Sequence, residues 1–170
     1  MLIVRAHAPD DAGPPSAELV LTFEQRSRSR LHAMLTRGEP VGLVLPRGTL
    51  LRDGDRLVTD AGEVIAVRAA EEEVIDARCD DAAALARIAY HLGNRHARVE
   101  IGPGFVRFAA DPVLAVLCER LGARLVAQQR PFEPEAGAYA AGHHAHSSDA
   151  RHAGIIHDMI ERTRGGQGAS

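Results

Sequence analysis

The fold is decided by residues 74–128, which read VIDARCDDAAALARIAYHLGNRHARVEIGPGFVRFAADPVLAVLCERLGARLVAQ. Four short runs in this stretch are rich in branched and aromatic side chains: 74–78, 98–101, 105–108 and 124–128. Runs of this length and composition predict β-strands. A Gly-Pro-Gly turn at 102–104 separates the second run from the third.

Two helices are predicted between these strands. The first is capped by Asp80 or Asp81, and we expect it to end at Gly93, since glycine commonly follows the last helical turn. The second begins at Asp111, where Pro112 suits the first helical position, and Gly122 ends it. Apolar side chains recur at helical spacing in both segments: Leu85, Ile88 and Leu92 in the first, and Val113, Leu114, Leu117, Cys118 and Leu121 in the second.

The resulting order is β-α-β-β-α-β, which is the order of a ferredoxin-like split βαβ domain. We therefore predict an α+β protein whose residues 71–135 form a ferredoxin-like domain. Residues 1–70 differ, because Gly and Pro punctuate short apolar runs there and no helical period of useful length appears. They predict a β-rich N-terminal domain with a packing or docking role.

Charge and hydropathy exclude several classes of protein. The chain of 170 residues has 20 basic and 23 acidic side chains, and its only basic cluster is Arg26, Arg28 and Arg30. A nucleic-acid partner is not expected, since such proteins show a basic excess or stripe. No apolar run approaches the ~20 residues needed to span a bilayer, and no signal peptide is evident. We expect a cytoplasmic protein without a membrane partner.

No catalytic motif supports an enzyme. The sequence contains no GxSxG, no glycine-rich phosphate loop and no HExxH. Its two cysteines, Cys79 and Cys118, form no CxxC pair, and Cys118 falls on the apolar stripe of the second helix like an ordinary core residue. We predict a protein that is not an enzyme.

Histidine is enriched at the C-terminal end. Five of the nine histidines lie in the last 28 residues, where an even spread would put about 1.5. Residues 136–170 are small and polar, which predicts a flexible tail. Imidazole nitrogen suits nickel, copper and zinc, so His143, His144 and His146 are candidate ligands for one ion. The alternative is a solvated tail without a function.

His96 is a second candidate ligand, in the loop after the first helix. A loop histidine is more often merely exposed, and His96 has no carboxylate or thiol at metal-ligand spacing. One ligand per chain can still form a site where two chains meet about a twofold axis, because symmetry doubles each ligand. We hypothesise such a site at a dimer interface.

Two stretches carry a resemblance to a known family. The chain reads GNRH at 93–96 and PFEPEAGAY at 131–139, and with these motifs it closely resembles the UreE family of urease accessory proteins, which are nickel metallochaperones. The resemblance implies a homodimer in which His96 and its symmetry mate bind Ni(II), with tail histidines adding ligands. It also implies a peptide-binding N-terminal domain, and zinc, copper or cobalt as alternative metals.

The resemblance implies a role as well. The metal would pass to apo-urease during active-site assembly, with the urease accessory GTPase and the urease apoprotein complex as partners. One departure is that AADP at 109–112 lacks histidines that some family members carry there, which leaves His96 and the tail. The alternatives are a general nickel or zinc storage or buffering protein without a dedicated client, and an adaptor whose histidines are incidental.

Overall fold

The computed structural model describes residues 1–136. The first half of the chain forms a six-stranded sheet with one helical turn, and the strand order is β2-β6-β5-β1-β4-β3. Its elements are β1 (Leu2–His7), β2 (Ala17–Leu21), α1 (Phe23–Arg26), β3 (Arg30–Met34), β4 (Pro40–Val44), β5 (Arg56–Thr59) and β6 (Val64–Ala69).

The core of this sheet follows from the alternation of side chains along its strands. In β2, Ala17, Leu19 and Leu21 are buried while the residues between them are exposed, because successive strand side chains point to opposite faces. The buried cluster continues into β1, β4, β5 and β6 through Val4, Val41, Leu43, Leu57, Ile65 and Val67. The predicted β-rich N-terminal region is confirmed.

The second half of the described chain forms a four-stranded antiparallel sheet with two helices. Its elements are β7 (Glu71–Arg78), α2 (Ala82–Gly93), β8 (Glu100–Gly102), β9 (Phe105–Ala109), α3 (Pro112–Arg120) and β10 (Arg124–Pro131). The strand order is β10-β7-β9-β8. Because β7 and β10 lie side by side although they are the first and last strands, this is the split βαβ arrangement that the sequence predicts.

Both helices pack on one face of this sheet. Buried Ile88 and Leu92 of α2 and Cys118 of α3 join Ala77, Val106 and Phe108 from the strands in a single apolar cluster. The aspartates at the helix starts are N-caps, as predicted: the Asp81 carboxylate accepts from the amides of Ala83 and Ala84, and the Asp111 carboxylate from those of Val113 and Leu114. The α+β fold class is confirmed.

Three local predictions need correction. The one-turn helix α1 was not expected; a capping box between Thr22 and Gln25 supports it, and this side-chain exchange lies outside any apolar period. Strand β1 was likewise missed, because its pattern turns polar after Val4. Helix α2 ends at Gly93 as predicted, but Gly93 is its last helical residue, and the left-handed residue of the turn is His96.

Within residues 1–136, no helix is long and apolar enough to cross a membrane. The predicted boundary between residues 70 and 71 stays a prediction, as does the flexible tail at 136–170, which apart from Ala136 lies outside the described residues.

Candidate metal-binding site

His96 occupies an unusual backbone position at the end of α2. The His96 amide donates to the Gly93 carbonyl at 2.9 Å, and the Ala97 amide donates back to the Leu92 carbonyl at 3.1 Å. These two bonds define a Schellman motif, whose left-handed residue is usually glycine. His96 takes that place with a φ of 55°, as the only residue other than glycine with positive φ among those that the structure describes.

Helix α3 ends in the same motif and provides an internal comparison. The Gly122 amide donates to the Glu119 carbonyl at 2.9 Å and the Ala123 amide to the Cys118 carbonyl at 3.0 Å. Its left-handed residue is Gly122, with a φ of 89°. A side chain with a Cβ in this conformation costs about 1 kcal/mol. The same turn is therefore built with glycine at one helix end and with a strained histidine at the other.

The His96 side chain is exposed, so its ring is open to a ligand from solvent or from another chain. No group of three or more His, Cys, Asp or Glu side chains that could hold a metal ion occurs within residues 1–136. In this part of one chain, His96 therefore has no set of co-ligands, and a complete site requires ligands from elsewhere.

The other described histidines lie in different settings. His91 is half-buried on α2, where its ring stands edge-on to Tyr90 at 5.4 Å, and its carbonyl accepts from Arg95 Nη1 at 3.2 Å. His7 and His32 lie on strands of the N-terminal sheet, and His7 pairs with Asp55 at 3.3 Å. The predicted ligands His143, His144 and His146 lie outside the described residues.

Neither cysteine is arranged as a thiolate ligand beside His96. Cys118 is fully buried in the helix-facing core. Burial, and secondarily the charge of Cys79, raises the pKa of the Cys118 thiol to about 11. It is a neutral core thiol at physiological pH, as the sequence predicts.

The described part of the motif at 131–139, residues 131–136, makes contacts that sequence reasoning missed. Phe132 is buried and packs edge-on against Phe23 of α1, with ring centroids 5.7 Å apart. The next residue, Glu133, pairs with Arg26 of α1 and with Arg52 of the loop before β5. The sequence around Phe132 and Glu133 does not predict the two arginine partners, which lie 107 and 81 positions from Glu133.

Comparisons with known proteins agree with this architecture. Residues 2–70 match the family model of the N-terminal domain of the UreE urease accessory protein, and residues 72–161 match that of its C-terminal domain. Among curated proteins, the urease accessory protein UreE of Burkholderia thailandensis is 54% identical over 132 residues, covering 78% of this chain and 62% of that protein.

The corresponding protein of Burkholderia ambifaria is 52% identical over 132 residues and is covered to 65%. The chain thus spans less than two thirds of the length of these relatives. Their names describe an accessory protein rather than an enzyme, which confirms the prediction that this chain is not an enzyme.

Proposed function

The chain belongs to the UreE family of urease accessory proteins, and from this premise we propose that it binds Ni(II) through His96 at a dimer interface and delivers the ion to apo-urease. A role in urease maturation follows from the family. Nickel, the ligands, the homodimer and the delivery step are the proposal. The single observation that carries it is the left-handed backbone of His96 in a turn where α3 uses glycine.

A strained residue persists in a fold when something other than stability retains it. At this position glycine would complete the same two hydrogen bonds without a Cβ, as Gly122 does. Compared with glycine at this position, histidine adds an imidazole ring, which can bind a metal ion. Its exposure in an otherwise ordinary helix-to-strand loop supports a role in binding rather than in packing.

A site assembled from two chains would supply what residues 1–136 of one chain lack, a group of three or more side chains that could hold a metal ion. Two His96 side chains related by a twofold axis would supply a preorganised but incomplete site. Tail imidazoles of His143, His144 and His146, or a partner's ligands, would fill the open positions. An ion held in this way can leave by ligand exchange, which delivery requires.

The chemistry of imidazole determines which metal ions can bind and over what pH range they bind. Nitrogen ligands suit Ni(II) and also Zn(II), Cu(II) and Co(II), so selectivity for nickel would come from geometry and supply rather than from raw affinity. A metal-bound imidazole must be neutral, so binding weakens as pH falls through the ordinary imidazole pKa of about 6.5. The proposed partners are the urease accessory GTPase and the urease apoprotein complex, and the proposed compartment is the cytoplasm.

Nickel titration of four proteins tests the proposal: wild type, His96→Ala, His91→Ala as a matched histidine control, and a chain ending at Ala141. We expect His96→Ala to abolish the tightest site, His91→Ala to leave it intact, and truncation to lower stoichiometry. If only truncation removes binding, the His-rich sequence favours the second candidate function, a nickel or zinc buffer without a client. Pull-down of the accessory GTPase with and without nickel then tests delivery.

A further inference from the structure

The segment that follows β10 is held by helix α1 and by the loop before β5. Phe132 and Pro134 are buried, and Glu133 between them is half-buried. The Glu133 carboxylate accepts from Arg26, from Arg52 Nη1 at 3.1 Å and from the Asp53 amide at 3.2 Å. Residues 132–135 form an anchor segment.

Arg26 is a main hydrogen-bond donor to the anchor segment. Its side chain is fully buried, and its guanidinium donates to the Phe132 carbonyl at 2.6 Å and the Leu51 carbonyl at 3.1 Å as well as to Glu133. Arg52 adds a bond to the Pro134 carbonyl at 2.8 Å. A buried arginine is tolerated only with such partners, so the position of the anchor segment is strongly specified.

The other side of the anchor segment contacts the loop that carries His96. The Glu135 amide donates to the Val99 carbonyl at 2.7 Å, and the Glu133 amide donates to Glu100 Oε2 at 3.0 Å. Val99 is the third residue after His96. The His96 loop is thus fixed at its start by the Schellman bonds of α2 and at its end by the anchor segment.

The anchor segment reaches this loop by crossing the sheet. Strands β10 and β8 are the two outer strands of the order β10-β7-β9-β8, and three strand spacings separate them, about 14 Å. The bonds from Arg26 and Arg52 hold the chain on this path. If those bonds break, only the packing of Phe132 and the amide bonds to Val99 and Glu100 remain to hold the segment, and the partner of Val99 is less firmly placed.

We propose that Glu133, clamped by Arg26 and Arg52, is a positioning residue for His96. It fixes the end of the His96 loop through the amides of Glu133 and Glu135, so helix α1 and the loop before β5 in the N-terminal half control the geometry of a metal ligand in the other half of the chain. The inference rests on the proposed function, because it assigns Glu133 to the same nickel site.

Glu133→Gln in the full chain tests it, with nickel affinity measured by calorimetric titration and loop order by hydrogen exchange of the apoprotein. Glutamine keeps the size of the side chain but removes the charge that holds both arginines. We expect nickel affinity at the tight site to fall about tenfold, the lower end of the loss seen when a residue that orients a metal ligand is removed. Exchange should rise in peptides covering 97–100 and 132–135.

Glu63→Gln is the matched control, because the Glu63 carboxylate also accepts from an arginine, Arg37 Nη1 at 2.6 Å, but within the N-terminal sheet. It should leave nickel affinity and loop exchange unchanged, whatever it does to stability. If Glu133→Gln fails to fold, Arg52→Gln tests the same clamp, since that side chain is partly exposed and Arg26 still pairs with Glu133.

The outcomes separate the two proposals. Wild-type affinity in Glu133→Gln and Arg52→Gln, with binding lost in His96→Ala, overturns the positioning role and leaves the nickel site standing. An equal loss of affinity in Glu63→Gln also overturns it, since the effect would then be one of general stability. Unchanged binding by His96→Ala, or no binding by wild type, overturns the nickel site and the positioning role together.

Discussion

His96 takes the left-handed position in the turn that ends α2. The Schellman motif places a left-handed residue just beyond the helix cap, and an apolar contact between the residues on either side of the turn frequently accompanies it. Here the pair is Leu92 and Ala97, both part of the helix-facing core, with Leu92 fully buried. This contact stabilises the turn even where its left-handed residue is not glycine. The packing of the core therefore offsets the backbone strain of His96.

The first prediction concerns this strain. His96→Gly should raise the free energy of unfolding by about 0.5–1 kcal/mol, because glycine adopts positive φ without a Cβ penalty, whereas His96→Ala should give no gain. Chemical denaturation of both variants measures this, and both should lose the tight nickel site. Gly122→Ala provides the reciprocal control and should lower stability by about 1 kcal/mol. A loss of stability in His96→Gly would contradict the strain argument.

The position of this turn could not be predicted from the sequence. Gly93 follows the last apolar helical position, Leu92, and glycine after such a residue usually ends the helix. The structure continues α2 through Gly93 and places the left-handed residue three positions later. The position of the turn is fixed by the packing of partly buried Ala97 against the core that includes Leu92. The spacing of apolar residues in the sequence does not predict this contact. His96 was found only through the resemblance and the symmetry argument.

A second residue-scale prediction concerns the thiols. Because burial raises the pKa of Cys118 to about 11, that thiol is protonated at pH 8 and shielded by the core. Cys79 is half-buried at the end of β7. We expect iodoacetamide at pH 8 to modify Cys79 in the native protein and Cys118 only on unfolding, as peptide mass analysis would show. Native modification of Cys118 first would contradict its placement in the core.

At the scale of elements, the strands are joined by a charge network that alternation does not predict. Asp76 lies in the middle of β7 and is fully buried. Its carboxylate accepts from Arg107 Nε of β9 at 2.7 Å, from Arg78 at 2.9 Å and from Gln128 of β10 at 2.7 Å. Arg107 also bonds Glu100 of β8 at 2.9 Å, so side chains tie all four strands.

This network predicts acid sensitivity. Burial alone would raise the pKa of Asp76, but hydrogen bonds from Arg107 and Arg78 outweigh it and lower that pKa below its usual value. A carboxyl group with a depressed pKa in the folded state stabilises the fold above its unfolded-state pKa, near 3.9, and that stability is lost as pH falls towards the folded-state value.

Asp76→Asn should reduce stability at pH 7 by about 2–3 kcal/mol, because it removes the buried carboxylate that Arg107 and Arg78 share and leaves Arg107 with Glu100 alone. It should also flatten the decline of stability below about pH 4. Urea denaturation at several pH values measures both effects. Glu18→Gln is a suitable control, since its pair with Arg68 is exposed on both sides. An equally steep acid decline in Asp76→Asn would remove Asp76 as its source.

Element type and order could largely be predicted from residues 74–128, because each strand contains a short run of branched or aromatic side chains and each helix has an N-cap and apolar residues at helical spacing. Asp111-Pro112 marked the start of α3 correctly. Side-chain clusters formed by polar contacts between distant residues could not be predicted from the sequence. Nothing around Asp76 in the sequence indicates that Arg107 and Gln128 will face it, since that depends on the register of three strands.

At the scale of the whole described chain, the two halves are connected in several places. Ala70 alone separates β6 from β7, and its amide donates to the Leu21 carbonyl at 2.8 Å. The Phe23 amide donates to Glu72 Oε1 of β7 at 2.6 Å, and the clamp of Arg26 and Arg52 holds Glu133. Sequence reasoning treated the halves as separate domains, because residues 107 positions apart give no sign that they pair. The clamp makes their stabilities interdependent.

The last prediction follows from that dependence. Wild type should unfold in one calorimetric transition, since breaking either sheet exposes the buried Arg26 and Phe132 contacts. Arg26→Met keeps the volume of the side chain but leaves Glu133 with less counter-charge, and should cost about 3 kcal/mol. The two sheets should then unfold in separate transitions. Arg68→Met, which removes an exposed pair within one sheet, should keep a single transition. If Arg26→Met unfolds in one transition at the wild-type temperature, the two halves are not coupled through the clamp, and the route by which the N-terminal half positions His96 is lost with it.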